Sequence, residues 1–472
     1  MKNIFLITLL LLGTAFTGYA QQQAAPSPTT VHNLSLQDCI NYAYEHQDTV
    51  KNAALDIKSA EYKVKETTGI GLPQVSGVLS FTDYLKTPSV IFPSFSDGLY
   101  QILNSEGVVD SAGHRIAAKK SGNQKLSIYQ PYNANAGLSV SQLLFDGSYL
   151  VGLKASRTYK ELSQRSFTRS RIDARVNVTK AYYQVLVSNE QIKLLDADLS
   201  QLKQQVDQTV AENKQGFAEK IDVQRIQVQY NNLQTSKENT VNLLVLNYEM
   251  LKFQMGMPIS EELTLTDKLE DVHMDPNVAN NSDTTFYHNR IEYNLGETNL
   301  KLNQLTVQNQ KAKFMPSLSF VGSTAMGLQS MTFGTLFTNG YPSTYVGLNM
   351  NIPIFSGGQR INQLREAKIE VEKSYNDLDN AKNAILLQAN AARITYVNSL
   401  RSLDNQKQNQ QLAQEVLRVS KVKYGQGVGS SIEVTQAQTD LESADNQYIQ
   451  ALYTALISKV DLDKAYGKIQ SN

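Results

Sequence analysis

The chain has one cysteine, no tryptophan and only five histidines. A lone Cys39 excludes an internal disulfide. Its place in the apolar pattern Leu36, Cys39, Ile40, Tyr42, Ala43 reads as a buried small residue, not a reactive thiol. The histidines are scattered, with no His-x-x-x-His pair, no phosphate-cradling Gly loop followed by Lys, and no nucleophile elbow. No catalysis, metal site or cofactor is therefore expected. An excess of one charge is also missing: 44 basic side chains face 44 acidic ones, so no basic surface invites nucleic acid. Beyond residue 20 there is no long apolar run, which excludes a spanning helix there. It does not exclude barrel strands, which hide in alternating sequence.

The first twenty residues read as a secretory signal peptide. Lys2 supplies a positive start, Ile4 to Phe16 an apolar run, and Gly18-Tyr19-Ala20 a small-residue cleavage site before Gln21. The run is short for a spanning helix. No Cys stands at the cleavage site to carry a lipid.

The mature chain repeats itself. Leu72-Pro73-Gln74-Val75-Ser76 matches Met315-Pro316-Ser317-Leu318-Ser319, Phe145-Asp146-Gly147 matches Phe355-Ser356-Gly357, and Gln215-Gly216-Phe217 matches Gln426-Gly427-Val428. The last two matches have offsets of 210 and 211 residues and the first has 243, so about 33 extra residues lie between the paired strands of the first copy. The chain parses as signal peptide 1–20, linker 21–33, first repeat 34–255, connecting segment 256–285, second repeat 286–467 and C-terminal end 468–472. A repeat mixing short strands with very long helices suits an assembly that closes a wall around an axis.

Each copy predicts two strands of alternating character. Val75, Leu79 and Phe81 oppose Ser76, Ser80 and Thr82; Leu138 and Val140 oppose Ser139 and Ser141. Leu318 and Phe320 oppose Ser317, Ser319 and Ser323; Val346, Leu348, Met350, Ile352 and Ile354 oppose Gly347, Asn349 and Asn351. Period-two alternation gives one apolar and one polar face. The polar face is small and neutral, as a water-filled barrel lumen would be, where a soluble sheet would show Lys and Glu. Four strands cannot close a spanning barrel, and open edges in lipid leave backbone groups unpaired, so several chains must contribute; three would give twelve strands. Residues 87–134, with Pro88, Pro93, Pro131 and a Gly122-Asn123 turn signal, read as a long loop outside the cell.

The helical pattern runs from Gly147 to about Asn213 and from about Gln359 to Tyr424, without Pro. At 1.5 Å per residue the first would span roughly 100 Å. Leu195, Leu199, Leu202, Val206 and Val210 mark a coiled-coil seam in one, and Leu412, Val416 and Val419 in the other. Each reverses at a Gly-containing turn and returns as a shorter helix. Phe217 and Val428 put apolar side chains at the tips, which suggests docking or packing of the tips on each other.

In this order, twice, the chain resembles the TolC-type outer-membrane efflux channels over essentially its whole mature length. Further motifs are the opening Leu34-Ser35-Leu36-Gln37-Asp38-Cys39-Ile40 and the joining stretches Met255-Gly256-Met257-Pro258 and Asn289-Arg290-Ile291-Glu292. The resemblance implies a homotrimer: a twelve-stranded barrel in outer-membrane lipid, continuous with a periplasmic α-helical barrel. It also implies a periplasmic adaptor and an inner-membrane transporter of RND, ABC or MFS type. The tip positions that would meet the adaptor are Gln215, Gly216 and Phe217, and Gln426, Gly427 and Val428, with Gln in both copies where the family has Val. Of the two acidic gate positions after the second tip, Glu433 keeps its carboxylate and Gln436 does not. Asp222 and Tyr424 match closed-state contacts, while Gly429 replaces the arginine of that lock; Asp222 also reads as a helix-cap carboxylate. The competing reading is a periplasmic coiled-coil adaptor or spacer. Two hairpins, each preceded by paired amphipathic strands, argue against it.

Overall fold

The computed structural model describes residues 31–93, 95–117, 123–127, 129–269 and 285–469. The signal peptide, most of the linker, Gly122, residues 270–284 of the connecting segment and the last three residues lie outside them. The chain divides into two compact units, each drawing on both repeats: 1–52, 170–286 and 387–472 in one, 53–169 and 287–386 in the other.

In chain order the elements are β1 (Val31–Leu34), α1 (Leu36–His46), α2 (Asp48–Ile70), β2 (Gln74–Asp83), β3 (Ser89–Pro93), α3 (Phe95–Ser105), β4 (Asn123–Ser127) and β5 (Tyr132–Phe145). Next come α4 (Gly147–Lys214), α5 (Lys220–Met255), β6 (Glu262–Leu265), α6 (Ile291–Ala312), β7 (Ser317–Ser330), β8 (Gly340–Asn351), α7 (Gln359–Gly425) and α8 (Ser431–Ala465). Both copies start their first strand directly after the shared proline, which lacks the N–H a helix interior needs. The fourth strand stops at Asn351, two residues before Pro353, so Ile352 and Ile354 lie beyond it.

In the second unit β2, β5, β7 and β8 form one antiparallel sheet in that order. The register gathers the alternating residues onto common faces. Val75, Leu79 and Phe81 pair with Val140, Ala136 and Ala134, which pair with Gly322, Met326 and Leu328. Leu318 and Phe320 pair with Met350 and Leu348 on the same face. The opposite face carries the Ser76–Ser139–Ser323 row, with the first two hydroxyls 2.7 Å apart, and the Ser80–Asn135–Gly327 row. The separation is incomplete: Gln142 lies on the apolar face, and Val78 and Val321 on the polar one. At the end of the apolar face away from Pro73, Phe81, Tyr132, Phe333 and Phe337 form an aromatic cluster with centroids 5.9–6.5 Å apart. Among the described residues β2 and β8 each pair on one side only. The segment read as a plain loop has structure of its own: β3 and β4 pair antiparallel, with α3 between them.

In the first unit, β1 pairs parallel with β6. Ser35 caps α1 in a reciprocal box with Asp38, and the Leu36 N–H donates to Asp267 at 2.9 Å. Cys39, Tyr182, Leu251 and Met255 are fully buried in one cluster. Each such Leu or Met side chain contributes about 1.5–3 kcal/mol by leaving water. Burial pushes the Cys39 thiol up to about 12, in keeping with an inert core residue.

The hairpin seams repeat at an offset of 211 residues. In the first hairpin Leu195, Leu202, Val206, Ile226 and Leu233 pack together, with Leu199 and Val210 beside them. In the second the seam is Leu417, Val434, Ala437 and Leu441 with Ala413 and Tyr424. The expected seam of Leu412, Val416 and Val419 is therefore corrected. These three are exposed on the chain, one residue out of register with the true seam. Their counterparts in the first copy are Gln201, Gln205 and Gln208, so α7 carries an apolar stripe that α4 lacks. Even the interior polar bridges repeat: Asn247 donates to Ser188 at 2.8 Å, and the Ser399 and Ser458 hydroxyls lie 2.6 Å apart at the matching positions.

Candidate functional site

The candidate site lies at the hairpin ends of the first unit. Both turns close in the same way. The Phe217 N–H reaches back to the Glu212 carbonyl at 2.9 Å and the Val428 N–H to the Lys423 carbonyl at 3.0 Å, satisfying carbonyls the helix ends leave open. Gly216 (φ +79) and Gly427 (φ +75) occupy the left-handed conformation that each turn needs. The side chains beyond them have nothing to pack on: Phe217 is 85% exposed and Val428 75%. Gln215 and Gln426 are exposed beside them. Within one chain the two tips do not pack on each other.

The hairpins are tied just behind the tips. The Tyr424 hydroxyl donates to Glu212 at 3.1 Å, and the Ser431 hydroxyl donates to Asp222 at 2.5 Å. Further along, the Gln229 amide donates to the Thr435 carbonyl and the Thr439 hydroxyl, both at 3.1 Å. Asp222 and Tyr424, expected as closed-state contacts, thus sit in the same zone but hold different partners. Burial, then the adjoining Glu212 carboxylate, push the Tyr424 phenol above its ordinary value. Asp222 also accepts the Glu219 N–H at 3.3 Å and lies 3.7 Å from Arg225, so the cap and the tie coexist in one carboxylate. Among the described residues no guanidinium bridges the hairpins here, and a side chain at Gly429 would meet Lys423 and Tyr424.

Glu433 and Gln436 share an exposed face of α8, whose start is capped by the Ser430 hydroxyl accepting the Glu433 N–H at 3.2 Å. One turn on, the Gln436 amide donates to Asp440 at 2.9 Å, and Asp440 is also exposed. Sequence reading missed Asp440. The signal was its i+4 spacing from Gln436, which puts a second carboxylate on the same stripe.

One chain thus joins a four-stranded sheet with one apolar face to long paired hairpins. A family model described as "Outer membrane efflux protein" matches residues 110–256 and 296–468. Outer membrane protein TolC of Salmonella enteritidis is 23% identical over 348 residues, spanning 71% of this chain and 69% of that protein. Proteases secretion protein PrtF of Dickeya chrysanthemi is 19% identical over 336 residues, spanning 70% of this chain and 72% of that one. A solved structure of CusC superposes with a TM-score of 0.73 at 15% identity, covering 96% of this chain and 99% of that one. The chain belongs to the outer membrane efflux protein family. It is an outer-membrane exit duct of the kind that serves efflux and type I secretion, with its helical part in the periplasm. Family membership carries partnership with an adaptor and an inner-membrane pump.

Proposed function

We propose that three copies of this chain close a twelve-stranded barrel in the outer membrane and a helical barrel in the periplasm. The result is a passive duct fed by an inner-membrane transporter of RND, ABC or MFS type. The observation that carries this reading is the four-stranded sheet, with an apolar face, a face of small hydroxyls and amides, and two open edges. Lipid supplies no partners for edge N–H and C=O groups, so β2 and β8 require neighbouring strands. The exposed stripe of Leu412, Val416 and Val419 supports the same assembly, giving α7 an apolar surface for a neighbouring copy.

In this duct the tips, Gln215-Gly216-Phe217 and Gln426-Gly427-Val428, receive the periplasmic adaptor. Phe217 and Val428 supply the apolar contact and the turns supply exposed backbone. Glu433 lines the narrow end. Three such carboxylates around one axis attract cations and resist simultaneous ionisation. Gln436 adds no charge, and Asp440 provides the next carboxylate along the stripe. Planar-bilayer recording tests this placement: Glu433→Gln should reduce cation selectivity and weaken block by divalent cations. Unchanged selectivity would remove Glu433 from the gate.

A further inference from the structure

Between the two hairpins, away from the tips and from the Glu433 stripe, three carboxyl groups are withdrawn from water. Asp198 of α4 and Asp445 of α8 are 8% and 7% exposed, and both line the same cavity. Asp445 also accepts the buried Gln410 amide of α7 at 2.6 Å. Glu442, one turn from Asp445, has a buried Oε1 with no hydrogen-bond partner. Gln438, on the same side of α8, is completely buried. The acids line a cavity of about 240 Å³ together with Gln191, Asn232 and Ser236. The charged groups nearby are few. Lys421 of α7 faces Asp198, and Lys237 of α5 is engaged by Asp196 at 2.6 Å. Burial holds Lys421 below its ordinary value, while Asp198 pulls it the other way.

At the positions 211 residues away, Asn409 matches Asp198, Gln234 matches Asp445 and Asn231 matches Glu442. All three counterparts are neutral amides, and all three are exposed.

We propose that Asp198 and Asp445 form a proton-dependent latch between the first and second hairpins. A proton shared by the pair keeps the hairpins packed, and its loss sets two buried carboxylates against each other and lets them part. Burial, then the neighbouring Asp445 carboxylate, push Asp198 up to about 7, and burial raises Asp445 and Glu442 as well. A carboxyl raised in the packed state binds its proton more tightly there than when the hairpins separate. The packed state therefore has its full advantage below the ordinary aspartate range. It loses that advantage as pH rises through the raised value, and loses nothing more above it. The cavity gives water a place to enter once the pair ionises.

The latch bears on transport only through the duct reading, but hairpin separation can be read without it. Hydrogen exchange of the full chain in detergent, corrected for intrinsic rates, should show protection falling in Leu195–Leu202 and Leu441–Ile449. The fall should approach about tenfold per pH unit between about pH 5 and 7, then flatten. Amides of Ile40–Ala43 should not follow. The Asp198→Asn/Asp445→Asn variant should show no such slope. A flat profile in the unaltered protein overturns the latch, whatever the variant does. So does an undiminished slope in the variant.

Discussion

Asp222 accepts the Glu219 N–H and the Ser431 hydroxyl, so one carboxylate closes a helix N-terminus in the first hairpin and holds the second hairpin to it. Tyr424 makes the reciprocal tie, from the second hairpin to Glu212 of the first. Neither tie crosses a guanidinium, so each is an ordinary hydrogen bond to a carboxylate, worth about 1.5–3 kcal/mol when its partner is charged. Removing both, in Asp222→Ala with Tyr424→Phe, should raise single-channel conductance in planar bilayers. Unchanged conductance would mean the ties shape the tips without governing the opening. These two residues were indicated by the resemblance, through their match to the family's closed-state contacts. Their partners were not, because Glu212 and Ser431 lie more than 200 residues from the groups they hold. Asp198 and Asp445 were less legible still. In sequence each is one more acid on a polar helix, and only the fold brings them together and dries them.

At the scale of elements, the strands followed from alternation alone. The register confirms that Leu79 and Leu348 share one face while Ser80 and Asn349 lie on the other. Leu79 is 85% exposed and Leu348 68%, which suits residues that face lipid. Arg at either should impair membrane assembly, costing about 2–4 kcal/mol near the bilayer midplane. Arg at Ser80 or Asn349 should assemble normally and alter conductance instead. Heat-modifiable mobility in detergent gels, set beside bilayer recordings, separates the two classes. The reverse pattern would mean the faces are exchanged. The ends of α4 and α7 were predicted to within a residue, because Gly turns mark where they reverse. The seam of α7 was misplaced by one residue. Counting large apolar side chains favours Leu412, Val416 and Val419, whereas the buried seam runs through Ala413 and Leu417. A small residue packs two helices closely but adds little to a hydrophobic pattern. Carrying the first hairpin's seam across by 211 residues would have found it. The α3 helix and the β3–β4 pair escaped because their prolines and Gly turn signals read as loop.

For the whole molecule, the repeat was the most legible feature, and it determined the architecture. Two strands and one hairpin, written twice, give a four-stranded sheet whose edge strands, among the described residues, each pair on one side only. Every part of the functional reading depends on how those edges are met. Three copies would pair β2 of one with β8 of the next, bury the α7 stripe between neighbours, and bring three Glu433 side chains to one axis. The most direct measurement is the mass of the detergent-solubilised particle by multi-angle light scattering, with the detergent contribution subtracted. Three chains per particle is the predicted result. A stable monomer, with its sheet edges unpaired, would contradict the account.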